Sequence, residues 1–237
     1  MTLDDLRIKI FADGADLAGM IALAQHDWIK GFTTNPTLMA RAGVRDYESF
    51  AKGALEAIPD RPISFEVFSD EFDEMERQAR TIAGWGDNVC VKIPITNTRR
   101  ASSIALIHRL SHEGIKINVT AVMTLPQVRC VVEAVSGGAR SFISMFAGRI
   151  ADTGRDPVPH IAQALAIMAA EPQAELVWAS PREVLNIFQA DAVGCHIITV
   201  TSDILQKLAL IDRDLEDFSL ETVKMFYTDG QRVRFEL

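Results

Sequence analysis

Lys92 is the residue of this sequence whose type and position most clearly suggest chemistry. It lies near the end of an apolar segment, residues 88–95, that is typical of a β-strand. Desolvation in such a strand shifts an ammonium group towards the neutral amine, which attacks carbonyl carbons. Lys92 is therefore a candidate for Schiff-base chemistry. The alternative is a lysine at an exposed strand edge, whose stem packs on apolar surface while its charge reaches water.

The elements around Lys92 follow a regular alternation of short β-rich segments and segments with helical spacing of apolar residues. Eight strands are predicted, at residues 9–13, 31–35, 63–68, 88–95, 116–122, 141–149, 175–179 and 196–201. Helices are predicted between them, for example at residues 72–83, 100–111, 126–134 and 159–169. Asp70, Thr98, Thr124 and Ser180 are suited to helix entry.

This alternation predicts an α/β fold, a TIM (β/α)8 barrel with an extra C-terminal helix. No linker or change of composition divides the chain, so a single domain over residues 1–237 is predicted. The barrel is expected over about 8–212 and the extra helix over 218–228. A doubly wound open sheet is the competing architecture, but one glycine after the first strand gives no support to a dinucleotide site.

Polar residues occur at the carboxyl ends of most predicted strands, where the active sites of such barrels form. They are Asp13, Thr33, Asn35, Glu66, Lys92, Asn118, Thr120, Ser144, Arg149, Ser180 and Arg182. Taken singly, each has a structural interpretation: Asn35 precedes a proline that can turn the chain, and Ser180 can cap a helix. Convergence of so many around one lysine indicates a functional site, because buried polar groups must be paired or used.

Composition excludes several classes of function. A net charge of −8 argues against nucleic acid as a partner, although one or two arginines would suffice for a phosphate group on a small molecule. The acidic N-terminal segment and the lack of an apolar run of roughly 20 residues predict no signal peptide and no membrane association. The three cysteines are widely spaced, which predicts neither a disulfide nor a zinc site. Together these features favour a reducing, cytoplasmic location.

Five motifs lie at these strand ends. Residues 32–36 read Phe-Thr-Thr-Asn-Pro, residues 91–94 read Val-Lys-Ile-Pro, and residues 118–120 read Asn-Val-Thr. Residues 144–150 read Ser-Met-Phe-Ala-Gly-Arg-Ile, and residues 179–182 read Ala-Ser-Pro-Arg. In this order they resemble the motifs of the transaldolases, class I Schiff-base aldolases with a TIM-barrel fold. The resemblance runs through nearly the whole chain.

The resemblance implies a role for each candidate residue. Lys92 would form an imine with a ketose phosphate, Asp13 would act as general base and acid, and Glu66 would move protons through a water held by Thr120. Substrate contacts would come from Thr33, Asn35, Asn118, Ser144, Phe146, Arg149, Ser180 and Arg182, the two arginines gripping the phosphate. No metal or other cofactor is expected, since the lysine imine takes the place of a Lewis acid.

The family contains transferases and fructose-6-phosphate aldolases, which by this resemblance carry Gln on the third strand and Tyr on the sixth. Glu66 and Phe146 instead match the transferase pattern. This favours transfer of a dihydroxyacetone unit from sedoheptulose 7-phosphate or fructose 6-phosphate to an aldose phosphate, in the pentose phosphate pathway. The compact members of the family tend to form rings through a C-terminal helix, so a homo-oligomer is expected.

Two departures from the family pattern keep alternatives open. Met145 stands where proline is usual, and Pro181 stands where an aromatic residue is usual. A modified sugar is therefore an alternative substrate. A lyase of the fructose-6-phosphate aldolase type, or a relative of deoxyribose-phosphate aldolase, is an alternative reaction. A non-catalytic sugar-phosphate binder is a further alternative, although binding alone does not require Asp13, Glu66 and Lys92 together.

Overall fold

The computed structural model describes residues 3–233, so the two ends of the predicted 1–237 domain, residues 1–2 and 234–237, lie outside the described part. Eight parallel strands close into a barrel in chain order, which confirms the predicted TIM barrel. The strands are β1 (Lys9–Asp13), β2 (Ile29–Thr33), β3 (Ile63–Glu66), β4 (Val89–Pro94), β5 (Ile117–Val122), β6 (Ser141–Met145), β7 (Ala174–Trp178) and β8 (Ile197–Thr201).

Helices surround the barrel and connect successive strands. They are α1 (Leu17–Ala24), α2 (Pro36–Arg41), α3 (Tyr47–Ala57), α4 (Phe72–Ala83), α5 (Ile104–His112), α6 (Leu125–Val135), α7 (Ala147–Asp152), α8 (Val158–Met168), α9 (Leu185–Ala192), α10 (Ser202–Gln206) and α11 (Leu215–Val233). The start of α6 is as predicted, because Thr124 and Gln127 form a capping box.

The predicted strand over residues 141–149 is wrong beyond its fifth residue. The strand β6 ends at Met145, and α7 begins at Ala147, so Arg149 lies on a helix. The apolar pattern continues across this boundary because α7 buries Ala147, Gly148 and Ile150. A short apolar run does not distinguish a buried strand from a buried helix.

The loop before α5 replaces the predicted start of that helix at residue 100. Arg100 has a φ of 64°, and α5 begins only at Ile104. Asp70 and Thr98 do not cap helices as predicted; the Asp70 carboxylate instead accepts hydrogen bonds at 2.7 Å from the backbone and side chain of Thr98. These bonds join the loops that follow β3 and β4.

The core has an outer and an inner part. The outer cluster lies between the strands and the helices and includes Trp178. The inner cluster consists of Phe11, Cys90, Phe142, Val177 and Ile197. The rings of Phe11 and Phe142 pack edge to face, with their centroids 5.7 Å apart. Strand alternation accounts for both parts, since successive side chains point to opposite faces.

The C-terminal helix α11 runs from Leu215 to Val233, which is longer than the predicted 218–228. None of its residues is buried. Among residues 3–233, no helix combines the length and the apolar character needed to cross a bilayer.

Candidate active site

Lys92 lies inside the barrel on β4, with a relative exposure of only 6%. The parallel register places Glu66 of β3 beside it on one side and Asn118 of β5 on the other. Its Nζ donates a hydrogen bond of 2.7 Å to the carbonyl oxygen of Thr34 and lies 3.2 Å from Oε2 of Glu66. This placement excludes the interpretation of Lys92 as an exposed strand-edge residue.

Asp13, at the end of β1, is a half-buried ionisable group of this region. It accepts a hydrogen bond of 2.8 Å from Oγ1 of Thr33. Burial raises the pKa of Asp13, although the positive charge of Lys92 and the Thr33 hydrogen bond act in the opposite direction. Thr33 is also hydrogen-bonded to Thr199 of β8, which the sequence analysis did not identify. The Asp13 carboxylate is therefore a stronger base than a solvent-exposed aspartate.

Asn118 and Ser144 form a buried chain of polar groups with a third residue, Ser64. The Nδ2 group of Asn118 donates to Oγ of Ser64 at 3.0 Å, and Oγ of Ser144 donates to Oδ1 of Asn118 at 2.7 Å. The sequence analysis missed Ser64, although it precedes Glu66 by two residues and so points to the same face of β3. This chain fixes the orientation of the Asn118 amide.

Tyr47 is a second residue that the sequence analysis missed. Its hydroxyl accepts a hydrogen bond of 2.8 Å from the backbone N–H of Glu66 and donates one of 3.1 Å to the Glu66 carbonyl oxygen. Burial raises the pKa of Tyr47, which keeps its hydroxyl protonated. Tyr47 therefore holds the end of β3 from α3, and no sequence pattern points to this long-range contact.

The two predicted phosphate-binding arginines lie on loops and helices beyond β6 and β7, and both are exposed. The Arg149 guanidinium lies over the ring of Phe146, 5.7 Å from its centroid. Arg182 forms a two-point ion pair with Asp152 of α7, whose Oδ1 is 2.9 Å from Nε. Hydrogen bonds from Arg182 lower the pKa of Asp152, and the charge of Arg149 acts in the same direction.

Comparison with known proteins gives the family. The model of the family described as Transaldolase/Fructose-6-phosphate aldolase matches residues 10–237. The chain belongs to this family. Two relatives, each named "Probable transaldolase", are 37% identical over 202 residues, which is 85% of this chain and 90% of each relative. They come from Streptococcus equi subsp. zooepidemicus (strain MGCS10565) and Streptococcus pyogenes serotype M5 (strain Manfredo).

The solved structures show the fold alone. Dihydrodipicolinate synthase from Rhodopseudomonas palustris superposes with a TM-score of 0.58 at 13% identity, covering 93% of this chain and 80% of that one. The predicted membership of the transaldolase family, and with it the prediction of an enzyme, is confirmed by the family match and the curated relatives.

Within this transaldolase-family barrel, two further predicted residues have clear positions. Thr120 is buried on β5, two residues beyond Asn118 and thus on the same face of the strand. Asn35 caps α2, because its Oδ1 accepts a hydrogen bond of 2.9 Å from the backbone of Leu38. Its Nδ2 group can still donate to a ligand, so the structural and functional interpretations of Asn35 are compatible.

Ser180 does not cap a helix, contrary to the structural interpretation of this residue. Its φ of 58° places it in the left-handed region, and α9 begins only at Leu185. The carbonyl oxygen of Ser180 faces Gly148, where an added Cβ would lie 1.5 Å from it. Only glycine fits there, and this close approach joins the two segments that carry Arg149 and Arg182.

Proposed function

We propose that this protein is a transaldolase that forms a Schiff base at Lys92. It would transfer a dihydroxyacetone unit from a ketose phosphate, sedoheptulose 7-phosphate or fructose 6-phosphate, to an aldose phosphate. The observation that supports this most is the buried Lys92 ammonium, 3.2 Å from the Glu66 carboxylate and close enough to Asp13 to affect its pKa. A buried lysine beside two carboxyl groups has both a nucleophile and the groups that move its protons.

The reaction begins with proton transfer. Lys92 donates a hydrogen bond to the Thr34 carbonyl and lies beside Glu66, and transfer of one proton from Lys92 to Glu66 would give the amine that attacks the ketone carbon. The resulting carbinolamine loses water, for which Glu66 returns a proton to the departing hydroxyl group. Thr120 is the residue proposed to hold the water that relays these protons.

The protonated imine then accepts the electron pair of the adjacent carbon–carbon bond. Asp13 removes the proton from the hydroxyl group beside that bond, which leaves an aldehyde product and a three-carbon enamine on Lys92. The reverse steps join the enamine to an acceptor aldehyde, and Asp13 returns its proton. Burial raises the pKa of Asp13, which makes its carboxylate a stronger base than an exposed aspartate.

Polar groups around this centre would orient the substrate. Asn118 and Ser144 are fixed by their hydrogen-bonded chain, and Thr33 is fixed between Asp13 and Thr199. Asn35, Phe146 and Ser180 complete the proposed set of substrate contacts. Holding the reacting groups in place in this way lowers the entropic part of the barrier.

Arg149 and Arg182 would bind the phosphate group. Arg182 is already engaged with Asp152, so a phosphate must share or replace this carboxylate. Among the described residues Arg149 forms no ion pair, and its guanidinium lies over the Phe146 ring, so it is available to a phosphate group. A dianionic phosphate competes well for such a fork of donors.

The test is the consumption of fructose 6-phosphate with and without erythrose 4-phosphate, following glyceraldehyde 3-phosphate and free dihydroxyacetone. Turnover that depends on the acceptor, without free dihydroxyacetone, is expected from a transaldolase. Release of dihydroxyacetone without acceptor would instead assign the aldolase reaction. Replacing Glu66 by Gln together with Phe146 by Tyr, the aldolase pattern, is expected to increase that release.

The Schiff base has its own test. Borohydride reduction in the presence of fructose 6-phosphate is expected to add one three-carbon or six-carbon unit to the wild-type chain and none to Lys92→Met. The exposed lysine variant Lys52→Met serves as the control and is expected to label fully. Full labelling of Lys92→Met would remove Lys92 from its proposed role.

We also propose that the chain forms one domain, works in the cytoplasm on sugar phosphates of the pentose phosphate pathway, and assembles into a homo-oligomer. The oligomer is supported by α11, whose apolar side chains, including Leu215, Val223 and Phe226, are more than half exposed. A long helix with an unburied apolar surface gains its stability from packing against another molecule.

A further inference from the structure

A cavity of about 870 Å³ opens at the amino-terminal mouth of the barrel, at the opposite end from Lys92. Its walls come from the first residues of the strands and from the loops before them, including Lys9, Asn88 and Lys116. Phe11, Cys90 and Phe142 of the inner cluster also line it. On the same strand faces, Asp13, Lys92 and Ser144 follow these three residues by two positions. The inner cluster therefore separates this cavity from the proposed active site.

The lining of the cavity is basic although the chain is acidic. Six basic side chains face four carboxylates in a protein whose net charge is −8. The basic residues are Lys9, Lys30, Lys52, Arg61, Lys116 and Arg140, and the acidic residues are Glu56, Asp60, Asp87 and Glu175. A concave surface that concentrates one sign of charge attracts ligands of the other sign.

Two of these cations have no carboxylate partner among the described residues. Lys116 donates through Nζ to the backbone carbonyl of Asp87 at 2.6 Å. Lys30 makes no salt bridge within the part of the chain that the structure describes. Both ammonium groups therefore retain the capacity to pair with an external anion.

An irregularity in the barrel places Lys30 at this mouth. The pairing of β1 with β2 shifts between Ile10, opposite Ile29, and Phe11, opposite Gly31, so that Lys30 opposes no residue. A bulge of this kind changes the direction of a side chain. Gly31 completes the arrangement, because an added Cβ would lie 2.6 Å from the Phe11 ring, which fills that space inside the barrel.

The Glu175 carboxylate forms ion pairs with two cations. Its two carboxylate oxygens bind Lys9 and Arg140. Burial acts to raise the pKa of Glu175, but these two hydrogen bonds outweigh it and the pKa is lowered. One carboxylate thus serves two cations, which leaves a positive charge in excess on this side of the cavity.

We propose that this cavity binds a small polyanion carrying two or more phosphate or carboxylate groups. Lys30, Lys116 and Arg140 supply the charges that hold the anionic groups, and the rings of Phe11 and Phe142 contact the carbon skeleton of the ligand. The volume lies in the range of about 300–1,000 Å³ typical of small-molecule sites. The proposal does not depend on the reaction at Lys92.

The test uses isothermal titration calorimetry of the full chain with pyrophosphate and, separately, with citrate. The titrations are made in the Lys92→Met variant, so that failure of the proposed catalytic function cannot alter the result. Either anion is expected to bind, and the double variant Lys30→Gln, Lys116→Gln is expected to lose at least about tenfold in affinity, as removal of charged hydrogen-bond donors does. The control Arg129→Gln removes the same type of charge from the exposed side of α6 and is expected to bind as the parent does.

A crystal structure with pyrophosphate distinguishes this site from the proposed phosphate site at Arg149 and Arg182. Density between Lys30 and Lys116 is expected. No binding of either anion, binding that the double variant leaves unchanged, or density only at Arg149 and Arg182 would overturn the proposal. Unchanged thermal unfolding of the double variant confirms that any lost affinity does not reflect misfolding.

Discussion

Lys92 is a buried charge of the candidate active site and Asp13 a half-buried charge of opposite sign, and the two have different hydrogen-bond partners. Lys92 has a carbonyl and a carboxylate partner, whereas Asp13 has one hydroxyl donor and loses most of its hydration. Burial therefore dominates at Asp13 and raises its pKa. A group of this kind reduces stability in its charged form, which is a common property of residues kept for chemistry.

The Asp13→Asn variant is expected to be more stable than the wild type and at least about 100-fold slower, since it loses a general base. The folded-state pKa is raised above the unfolded value, so between the two values the folded wild type binds more protons than the unfolded chain. Its free energy of unfolding therefore falls as the pH rises through this window, and this term is absent from the variant. The advantage of Asp13→Asn should grow with pH above about 4 and then level off.

Thermal unfolding of both proteins between pH 4 and pH 8 measures this difference. The exposed residue Asp203 provides the control, and Asp203→Asn should follow the wild type at every pH. Parallel stability curves for the wild type and Asp13→Asn would contradict a raised pKa at Asp13.

At the scale of elements, the segments after β6 and β7 depend on each other. Gly148 of α7 donates its N–H to the carbonyl oxygen of Ala179 at 3.2 Å and lies against the carbonyl of Ser180. Arg149 is the residue after Gly148, and Arg182 lies two residues after Ser180. The contact thus sets the relative position of the two arginines, which strand and helix assignments alone do not give.

The Gly148→Ala variant is expected to lose about 1–3 kcal/mol of unfolding free energy, because its Cβ cannot fit beside backbone atoms of Ser180. The displaced arginines should raise KM for phosphorylated substrates, while borohydride trapping at Lys92 with saturating substrate persists. Denaturant unfolding and steady-state kinetics measure the two effects.

Gly53 on α3 supplies the matched control for this prediction. A Cβ there meets only Leu17, at an ordinary 3.5 Å, so Gly53→Ala should be neutral or should stabilise the helix by up to about 1 kcal/mol. Equal stability and equal KM for Gly148→Ala and the wild type would show that the contact does not position the arginines.

At the scale of the whole molecule, three surface features stand out: the basic amino-terminal mouth, the opposite face with Arg149 and Arg182, and the exposed apolar side chains of α11. The exposed fractions of Leu215, Val223, Phe226 and Tyr227 range from 59% to 79%. Within one chain, the described residues leave these side chains uncovered, because no residue of α11 is buried. Association through α11 would remove this surface from water.

Replacing Val223 and Phe226 by Lys, three positions apart on one side of α11, is expected to reduce the molar mass in solution. The reason is that two charges would be buried in the contact between chains. Light scattering after size-exclusion chromatography at a fixed protein concentration measures the mass. The control is Thr228→Lys on the same helix, which adds a charge without removing a large apolar side chain. An unchanged mass in the double variant would exclude this part of α11 from the interface.

The sequence by itself predicted the barrel, most strand positions, the family resemblance and Lys92 as the candidate nucleophile, and the structure decided that Lys92 lies inside the barrel. Local patterns suffice there, because alternation of apolar segments reports which faces are buried and because the motifs are contiguous. The boundary between β6 and α7 could not be predicted in this way, because the residues on both sides of it are largely apolar and buried. Only the tertiary structure showed that Tyr47 holds Glu66, that Thr199 and Ser64 extend the polar network, and that Asp152 engages Arg182. The tertiary structure also showed that the irregular pairing of β1 with β2 places Lys30 at the lining of the amino-terminal cavity. These contacts join residues far apart in the chain, and closure of the barrel, which no local pattern encodes, brings them together.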